Sequence, residues 1–195
     1  MFWQNVHQLD QQITLTINSW NSAVSDPIWA FLSMKIVWAP LYAAIIALII
    51  WKLGWKKGGI LILGALLTFA FCDQFTNLIK HYVARVRPLH DEFMISNGLN
   101  ILEQGGGYSF YSAHAANSFA LAAVTWFGLK KCLSKEAKLV KTYGYVMFTW
   151  AALVSISRIF VGKHYLGDVI VGTLVGLIIG FSIGIIVCKL PVFHK

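Results

Sequence analysis

The chain has 195 residues, of which 57% are apolar and 12% are charged, and its mean hydropathy is +0.65. These values exclude an ordinary soluble domain, because several apolar runs approach the roughly 20 residues that a helix needs to cross a bilayer. The net charge of +8 does not indicate a nucleic-acid partner, since the basic residues are concentrated in short loops. The length predicts one membrane-embedded domain over residues 1–195.

The N-terminal segment, residues 1–25, is predicted to hold an amphipathic helix. Apolar residues recur at helical spacing from Phe2 to Trp20, with Gln, Asp and Asn between them. This pattern is typical of a helix that lies on the membrane interface and does not cross it.

Longer apolar segments follow, and each is predicted to span the membrane. They cover residues 36–51, 58–80, 113–130, 140–158 and 168–189, with a kink at Pro40 in the first. Residues 27–34 are too short to cross. The fold class is therefore all-α: a polytopic membrane helical bundle of about five transmembrane helices plus the N-terminal interfacial helix.

The last of these segments has a glycine at every fourth position: Gly172, Gly176, Gly180 and Gly184. Small residues at this spacing let the backbone of a neighbouring helix approach closely. We therefore expect these glycines to have a packing role.

The basic residues indicate the orientation of the chain. With five crossings, ten of the sixteen basic residues fall on one face, and short basic loops mark the cytoplasmic side. Orientation does not explain the basic residues of segments 80–87 and 158–163 on the other face. The ten on the cytoplasmic side are Lys52, Lys56, Lys57, Lys130, Lys131, Lys135, Lys138, Lys141, Lys189 and Lys195.

The first of these segments runs from Lys80 to Arg87 and is followed by Pro88. A seven-residue separation sets the two cations two turns apart on nearly one face of a helix, which Pro88 is expected to end at the membrane surface. Arg presents a planar fork of donors to phosphate oxygens, and Lys presents a point charge. Taken alone, the pair is better explained by snorkelling toward lipid headgroups.

A second segment, Tyr111-Ser112-Ala113-His114, opens the third predicted span. The start of a helix presents unpaired N–H groups and the positive end of the helix dipole, which together favour an anion. Ser112 can cap the helix and also donate its hydroxyl to a phosphate, and His114 can hold a proton for a leaving group. Taken alone, Ser112 is better explained as a cap only.

A third segment contains Arg158, His164 and Asp168 between the last two predicted spans. His164 and Asp168 stand at i and i+4, so the carboxylate can accept from one imidazole nitrogen and leave the other free to attack. A structural polar cluster is an equally good explanation of this segment alone. Topology places all three segments on the same, non-cytoplasmic face, and their cations, amides and histidines together predict a phosphate site.

These segments resemble the signatures of the type 2 phosphatidic acid phosphatase family, whose site is related to that of vanadium haloperoxidases. The matching patterns are Lys-x6-Arg-Pro, Ser-x-His and Ser-Arg-x5-His-x3-Asp, in order over residues 80–168. The resemblance implies that His164 attacks phosphorus, Asp168 orients His164, and His114 protonates the departing lipid oxygen, with no metal and no cofactor. The phosphate oxygens would be held by Lys80, Arg87, Ser112, the amide of Ala113, and Arg158.

The second signature departs from the family pattern. Tyr111 and Ala113 stand where the family has Pro and Gly, so anion binding by the amide of Ala113 requires that this residue does not need a positive φ. Asp73 is a candidate to hold Lys80 in place or to contact a neighbouring span. Arg85 and Lys163 lie within the signatures at unassigned positions, and their role stays open, contact with a headgroup being one candidate.

The resemblance implies a lipid phosphatase whose partners are the bilayer and a lipid phosphate. The position of the site on the non-cytoplasmic face is typical of a protein of the bacterial inner membrane with a periplasmic site. An envelope lipid, undecaprenyl diphosphate or lipid A, is the favoured substrate. Phosphatidylglycerol phosphate and phosphatidic acid are alternatives, and the oligomeric state stays open. A non-catalytic anion- or lipid-binding membrane protein is a weaker hypothesis, because binding alone does not need His114, His164 and Asp168. Haloperoxidase chemistry with vanadate is the weakest.

Overall fold

Helices joined by turns and irregular loops make up the described part of the chain, residues 2–193 of this computed structural model, and no strand occurs there. The all-α prediction is confirmed. Lys195, which was assigned to the basic face, lies outside the described residues. The helices are α1 (Phe2–Asn18), α2 (Ser25–Ser33), α3 (Ala39–Val83), α4 (Glu92–Ser96), α5 (Ala113–Cys132), α6 (Ala137–Phe160) and α7 (Leu166–Cys188).

Helix α3 consists of two arms, 39–53 and 55–83, that meet at Gly54. Gly54 has φ 71° and ψ 172°, which are not helical values. A Cβ built on Gly58 would lie 3.1 Å from Cδ1 of Ile50, although eight residues of straight helix would separate the two positions by about 12 Å. The chain therefore turns back at Gly54, and the arms correspond to the first two predicted spans. The kink predicted at Pro40 is wrong, because Pro40 lies in the first turn of α3, where no N–H is required.

Helix α5 lies at the centre of the bundle and packs against α3, α6 and α7. Its contact with α7 is close because the glycines of α7 face the α5 backbone. A Cβ on Gly176 would lie 2.2 Å from the carbonyl oxygen of Ala116, and one on Gly180 would lie 2.5 Å from that of Ala120. The packing role predicted for the glycine repeat is confirmed.

The outer surface of the bundle is apolar. Leu66 on α3 and Ile178 on α7 are 61% and 67% exposed. Three helical segments, Ile36–Ser96, Ala137–Phe160 and Leu166–Cys188, are long and apolar enough to cross a membrane. Helix α5, also predicted as a span, is not among them, since buried polar residues such as Asn117 and Thr125 reduce its hydropathy.

The two ends of the bundle differ in charge. Nζ of Lys52 lies 2.7 Å from Oε2 of Glu136, so the lysine-rich turns after the first arm of α3 and after α5 meet at one end. The segments that carry the three signatures lie at the other ends of the same helices. The predicted separation of the lysine-rich loops from the signature segments is therefore present in the structure.

Helix α1 lies against the signature end with its polar side inward. Thr14 and Asn18 are buried, whereas Leu9 on the opposite side is 56% exposed. The amphipathic helix is confirmed, but it ends at Asn18, earlier than residue 25. Its last residue donates from Nδ2 to the carbonyl oxygens of Ile159 and Phe160 at the end of α6, at 3.0 and 3.1 Å.

Candidate active site

The pair His164 and Asp168 lies at the junction of α6 and α7. Nδ1 of His164 lies 3.4 Å from Oδ2 of Asp168, as the i, i+4 spacing predicts. The backbone N–H groups of Lys163 and His164 both donate to the carbonyl of Arg158, and Gly162 turns the chain between them with φ 78°. This tight turn fixes the ring against α7 and leaves Nε2 free of Asp168.

The electrostatic surroundings of His164 favour the neutral imidazole. Its side chain is 2% exposed, and this burial holds the pKa of His164 well below its ordinary value. The carboxylate of Asp168 acts in the opposite direction, while Arg158 and Lys80 lower the pKa further. With Nδ1–H donated to Asp168, Nε2 carries a lone pair at neutral pH.

The second signature joins the third through the backbone. The N–H of Ser112 donates to the carbonyl of Asp168 at 3.0 Å, and Oγ of Ser112 accepts from the N–H of Ala115 at 3.4 Å, so Ser112 caps α5 as predicted. Ala84 is the only non-glycine residue with positive φ among residues 2–193. Ala113 therefore does not have a positive φ. An alanine in place of the family's glycine is thus compatible with anion binding by the amide of this residue. His114 lies one residue further, in the first turn of α5.

The first signature is less helical than predicted. Helix α3 ends at Val83, and Ala84 adopts a left-handed conformation with φ 49°. Arg87 therefore lies in extended backbone and not on the helix face of Lys80, so that part of the prediction is wrong. Arg87 still reaches the third signature, because its NH1 donates to the carbonyl oxygen of Lys163, next to His164, at 3.4 Å. Lys80 and Arg87 also act on each other electrostatically.

Arg158 is almost fully buried at the end of α6. Its NH1 donates to Oγ of Ser33 and lies 3.4 Å from Oε2 of Glu103. Its Nε is buried and has no hydrogen-bond partner within residues 2–193. A buried guanidinium N–H of this kind requires an acceptor, and a phosphate oxygen is one.

Glu103 is a residue of the site to which the sequence patterns assigned no role. Glu103 contacts Ser33, Arg158 and Lys163, the last at 3.3 Å between Oε2 and Nζ. Burial raises the pKa of Glu103, but the hydrogen bond from Ser33 and the charges of Arg158 and Lys163 outweigh it, so that the pKa lies below its ordinary value. Lys163, whose role the sequence left open, therefore meets Glu103 within the chain.

Arg85, whose role the sequence left open, forms two ion pairs within the chain. Its NH1 lies 2.7 Å from Oδ1 of Asp168, and its NH2 lies 2.8 Å from Oδ2 of Asp10 on α1. The left-handed turn at Ala84 directs this side chain toward the two acids. Ser109 also donates its hydroxyl to Asp168.

Asp73 forms no ion pair with Lys80 within residues 2–193, although its charge acts on Lys80 over a longer distance. Across the same range, no group of His, Cys, Asp and Glu side chains is arranged to hold a metal ion.

A cavity of about 350 Å³ extends from His114 between the arms of α3, α5 and α6. Ser33 and Lys35 line it together with His114, and most of its remaining walls are apolar side chains such as Ile49, Leu121 and Trp150. A polar site that continues into an apolar cavity suits a ligand with a charged head and a hydrocarbon body.

Comparison with known proteins identifies the family. Residues 58–190 match the PAP2 superfamily, and the chain belongs to it. This range includes all three signatures. The family resemblance drawn from them is confirmed.

Two of the similar proteins are phosphatases of named lipids. The chain is 32% identical over 171 residues to a lipid A 4'-phosphatase of Bacteroides thetaiotaomicron, covering 86% of this chain and 72% of that one. It is 31% identical over 121 residues to phosphatidylglycerophosphatase B of Bacillus subtilis, covering 60% and 54%. The chain is therefore an integral membrane protein and a phosphoric monoester hydrolase of the lipid phosphatase class.

Solved structures support the fold. The crystal structure of a PAP2-type phosphatidylglycerolphosphate phosphatase from Bacillus subtilis superposes with a TM-score of 0.74 at 24% identity, over 92% of this chain and 84% of that one. The crystal structure of Aquifex aeolicus LpxE gives a TM-score of 0.61 at 25% identity, over 92% and 94%.

Proposed function

We propose that this enzyme removes a phosphate group from lipid A through a phosphohistidine intermediate. The observation that carries the proposal is the contact of His164 with Asp168, which leaves Nε2 free and neutral near Lys80 and Arg158. The substrate class is supported by the lipid A 4'-phosphatases of Bacteroides thetaiotaomicron and Porphyromonas gingivalis, which are 32% and 29% identical to the chain. The cavity beside His114 suits the hydrocarbon part of such a lipid.

In the first step, the phosphate oxygens bind to the cations of the site and to the N-terminal amides of α5. Nε2 of His164 then attacks phosphorus and forms a P–N bond while the bond between phosphorus and the lipid oxygen breaks. His114 gives its proton to that oxygen, and Asp168 keeps the Nδ1 proton of His164 in place and stabilises the charged ring. The groups assigned to the phosphate are Lys80, Arg87, Ser112, Ala113 and Arg158.

In the second step, His114 accepts a proton from water, and the water oxygen attacks phosphorus. The P–N bond breaks, inorganic phosphate leaves, and His164 returns to its neutral form. We place this chemistry on the periplasmic face of a bacterial inner membrane, because the site lies at the end of the bundle opposite the lysine-rich turns.

The test is release of phosphate by the purified protein in detergent with EDTA. Lipid A, undecaprenyl diphosphate, phosphatidylglycerol phosphate and phosphatidic acid are compared at equal concentration. We expect the highest kcat/KM on lipid A and no release by His164→Ala. Preference for phosphatidylglycerol phosphate, the alternative that the Bacillus subtilis relative supports, would reassign the substrate, and full activity of His164→Ala would refute the mechanism.

A further inference from the structure

Arg85 belongs to the first signature by position but lies on the far side of Asp168 from His164. Its two terminal nitrogens contact different acids, at 2.7 Å to Oδ1 of Asp168 and at 2.8 Å to Oδ2 of Asp10. The Asp168 side chain is fully buried, and those of Arg85 and Asp10 are 17% and 14% exposed. Partly and fully buried charges of this kind interact more strongly than exposed pairs.

The two oxygens of Asp168 have different partners. Oδ2 accepts from the hydroxyl of Ser109, from the N–H of Tyr165 at 3.1 Å, and from Nδ1 of His164. Oδ1 has Arg85 as its one hydrogen-bond partner within residues 2–193. Loss of Arg85 leaves a buried carboxylate oxygen unpaired, which favours rotation or protonation of the carboxyl group.

Helix α1 holds Arg85 from outside the signatures. Asp10 accepts from the N–H of Gly167 at 2.8 Å through Oδ1 and from Arg85 through Oδ2. Thr14 accepts from the N–H of Leu166 at 2.9 Å. Asp10 and Thr14 thus satisfy the free N–H groups in the first turn of α7, the helix that carries Asp168.

We propose that Arg85 is a positioning residue for Asp168 and that Asp10 of α1 keeps it in place. The inference rests on the proposed roles of His164 and Asp168. Arg85 keeps Asp168 ionised and holds Oδ2 against Nδ1 of His164, without touching the phosphate. Residues of α1 therefore support the nucleophile, although they lie outside the three signatures.

The pH profile separates this role from a purely structural one. The charged and titratable groups around His164, Asp168 and Arg85 come from every neighbouring element: His7 and Asp10 of α1, Lys80 of α3, Arg85 itself before Pro88, His114 of α5, Arg158 of α6, and Asp168 of α7. Removing the positive charge of Arg85 stabilises the protonated imidazole. It also makes Asp168 easier to protonate. Both effects move the acid limb of the kcat profile to higher pH.

The test compares Arg85→Gln, Arg85→Lys and Asp10→Asn with the wild-type enzyme in detergent. We expect Arg85→Gln to lower kcat by about 10- to 100-fold, the usual cost of losing a partner that orients a functional histidine. Its acid limb should move to higher pH, while KM and the inhibition constant of inorganic phosphate stay within about twofold. Arg85→Lys should recover part of kcat and keep the acid limb of the wild-type enzyme. Asp10→Asn should lower kcat to a smaller extent because Arg85 is held less firmly, and it should not move the acid limb to higher pH because it removes a negative charge.

The proposal would be overturned if Arg85→Gln kept the thermal unfolding midpoint of the wild-type enzyme and its acid limb did not shift. It would also be overturned if the inhibition constant of phosphate rose by the same factor by which kcat fell. If Arg85→Gln does not fold, Asp10→Asn decides the matter: a kcat that falls at unchanged KM and unchanged unfolding midpoint supports the proposal, and a wild-type kcat overturns it. The imidazole titration of His164, followed by NMR, tests Arg85 without any turnover. A wild-type protein that hydrolyses no lipid phosphate would therefore refute the proposed function but not this inference.

Discussion

Oε2 of Glu103 lies 3.4 Å from NH1 of Arg158, so a carboxylate of the chain contacts a cation that the proposed mechanism assigns to the phosphate. The same oxygen lies 3.3 Å from Nζ of Lys163. Both carboxylate and phosphate are anions with oxygen acceptors, and they compete for the same donors. Glu103 is therefore expected to weaken anion binding at this side of the site.

We predict that Glu103→Gln binds inorganic phosphate more tightly than the wild-type enzyme. The amide keeps the size of the side chain but removes the competing charge. The inhibition constant of phosphate should fall by about two- to tenfold, which corresponds to the energy of a partly exposed ion pair. Glu92→Gln, at an exposed residue of α4, is the control and should leave that constant unchanged. A weaker inhibition in Glu103→Gln would show that the carboxylate supports Arg158 and does not compete with phosphate.

The contact between α5 and α7 predicts a stability effect. A Cβ at Gly176 would lie 2.2 Å from the carbonyl oxygen of Ala116, which belongs to the backbone and has no freedom to move aside. We expect Gly176→Ala to lower the free energy of unfolding in detergent by about 1–3 kcal/mol, as overpacking does in other cores. Gly59→Ala is the matched control, because nothing lies within 4 Å of the added methyl group. Equal unfolding midpoints for the two variants would contradict the packing described here.

The buried neutral state of His164 makes the stability of the protein depend on pH. The pKa of His164 lies below its ordinary value in the folded protein and near about 6.5 in the unfolded chain. Below about pH 6.5 the unfolded state therefore binds more protons than the folded state, and stability is lost as the pH falls. We expect the free energy of unfolding to fall less between about pH 7 and about pH 5 in His164→Gln than in the wild type. A parallel fall in both proteins would contradict the burial of this ring.

Short-range spacing carried most of what the sequence could predict. The contact of His164 with Asp168 follows from their i, i+4 positions, the cap at Ser112 follows from its place before an apolar helix, and the α5–α7 contact follows from the glycine repeat. Each depends on one helix or one turn, whose geometry is nearly invariant.

Contacts between distant segments could not be predicted in this way. Asp10 and Asp168 stand 75 and 83 positions from Arg85 in the chain, and nothing in one sequence records that they meet. The left-handed residue Ala84 has no sequence signal either, since glycine or asparagine is the usual residue in that conformation. That single residue moved Arg87 off the helix, so the prediction that Lys80 and Arg87 share a helix face failed, and it directed Arg85 toward Asp168.

The central claim is that His164 carries the phosphoryl group during turnover. Rapid mixing of the enzyme with lipid A, followed by alkaline quench and peptide mass spectrometry, measures this directly. We predict a phosphorylated peptide whose modified residue is His164, formed within the first turnover and absent from His164→Ala. Release of phosphate at the wild-type rate with the label on another residue, or with no labelled peptide, would contradict the mechanism.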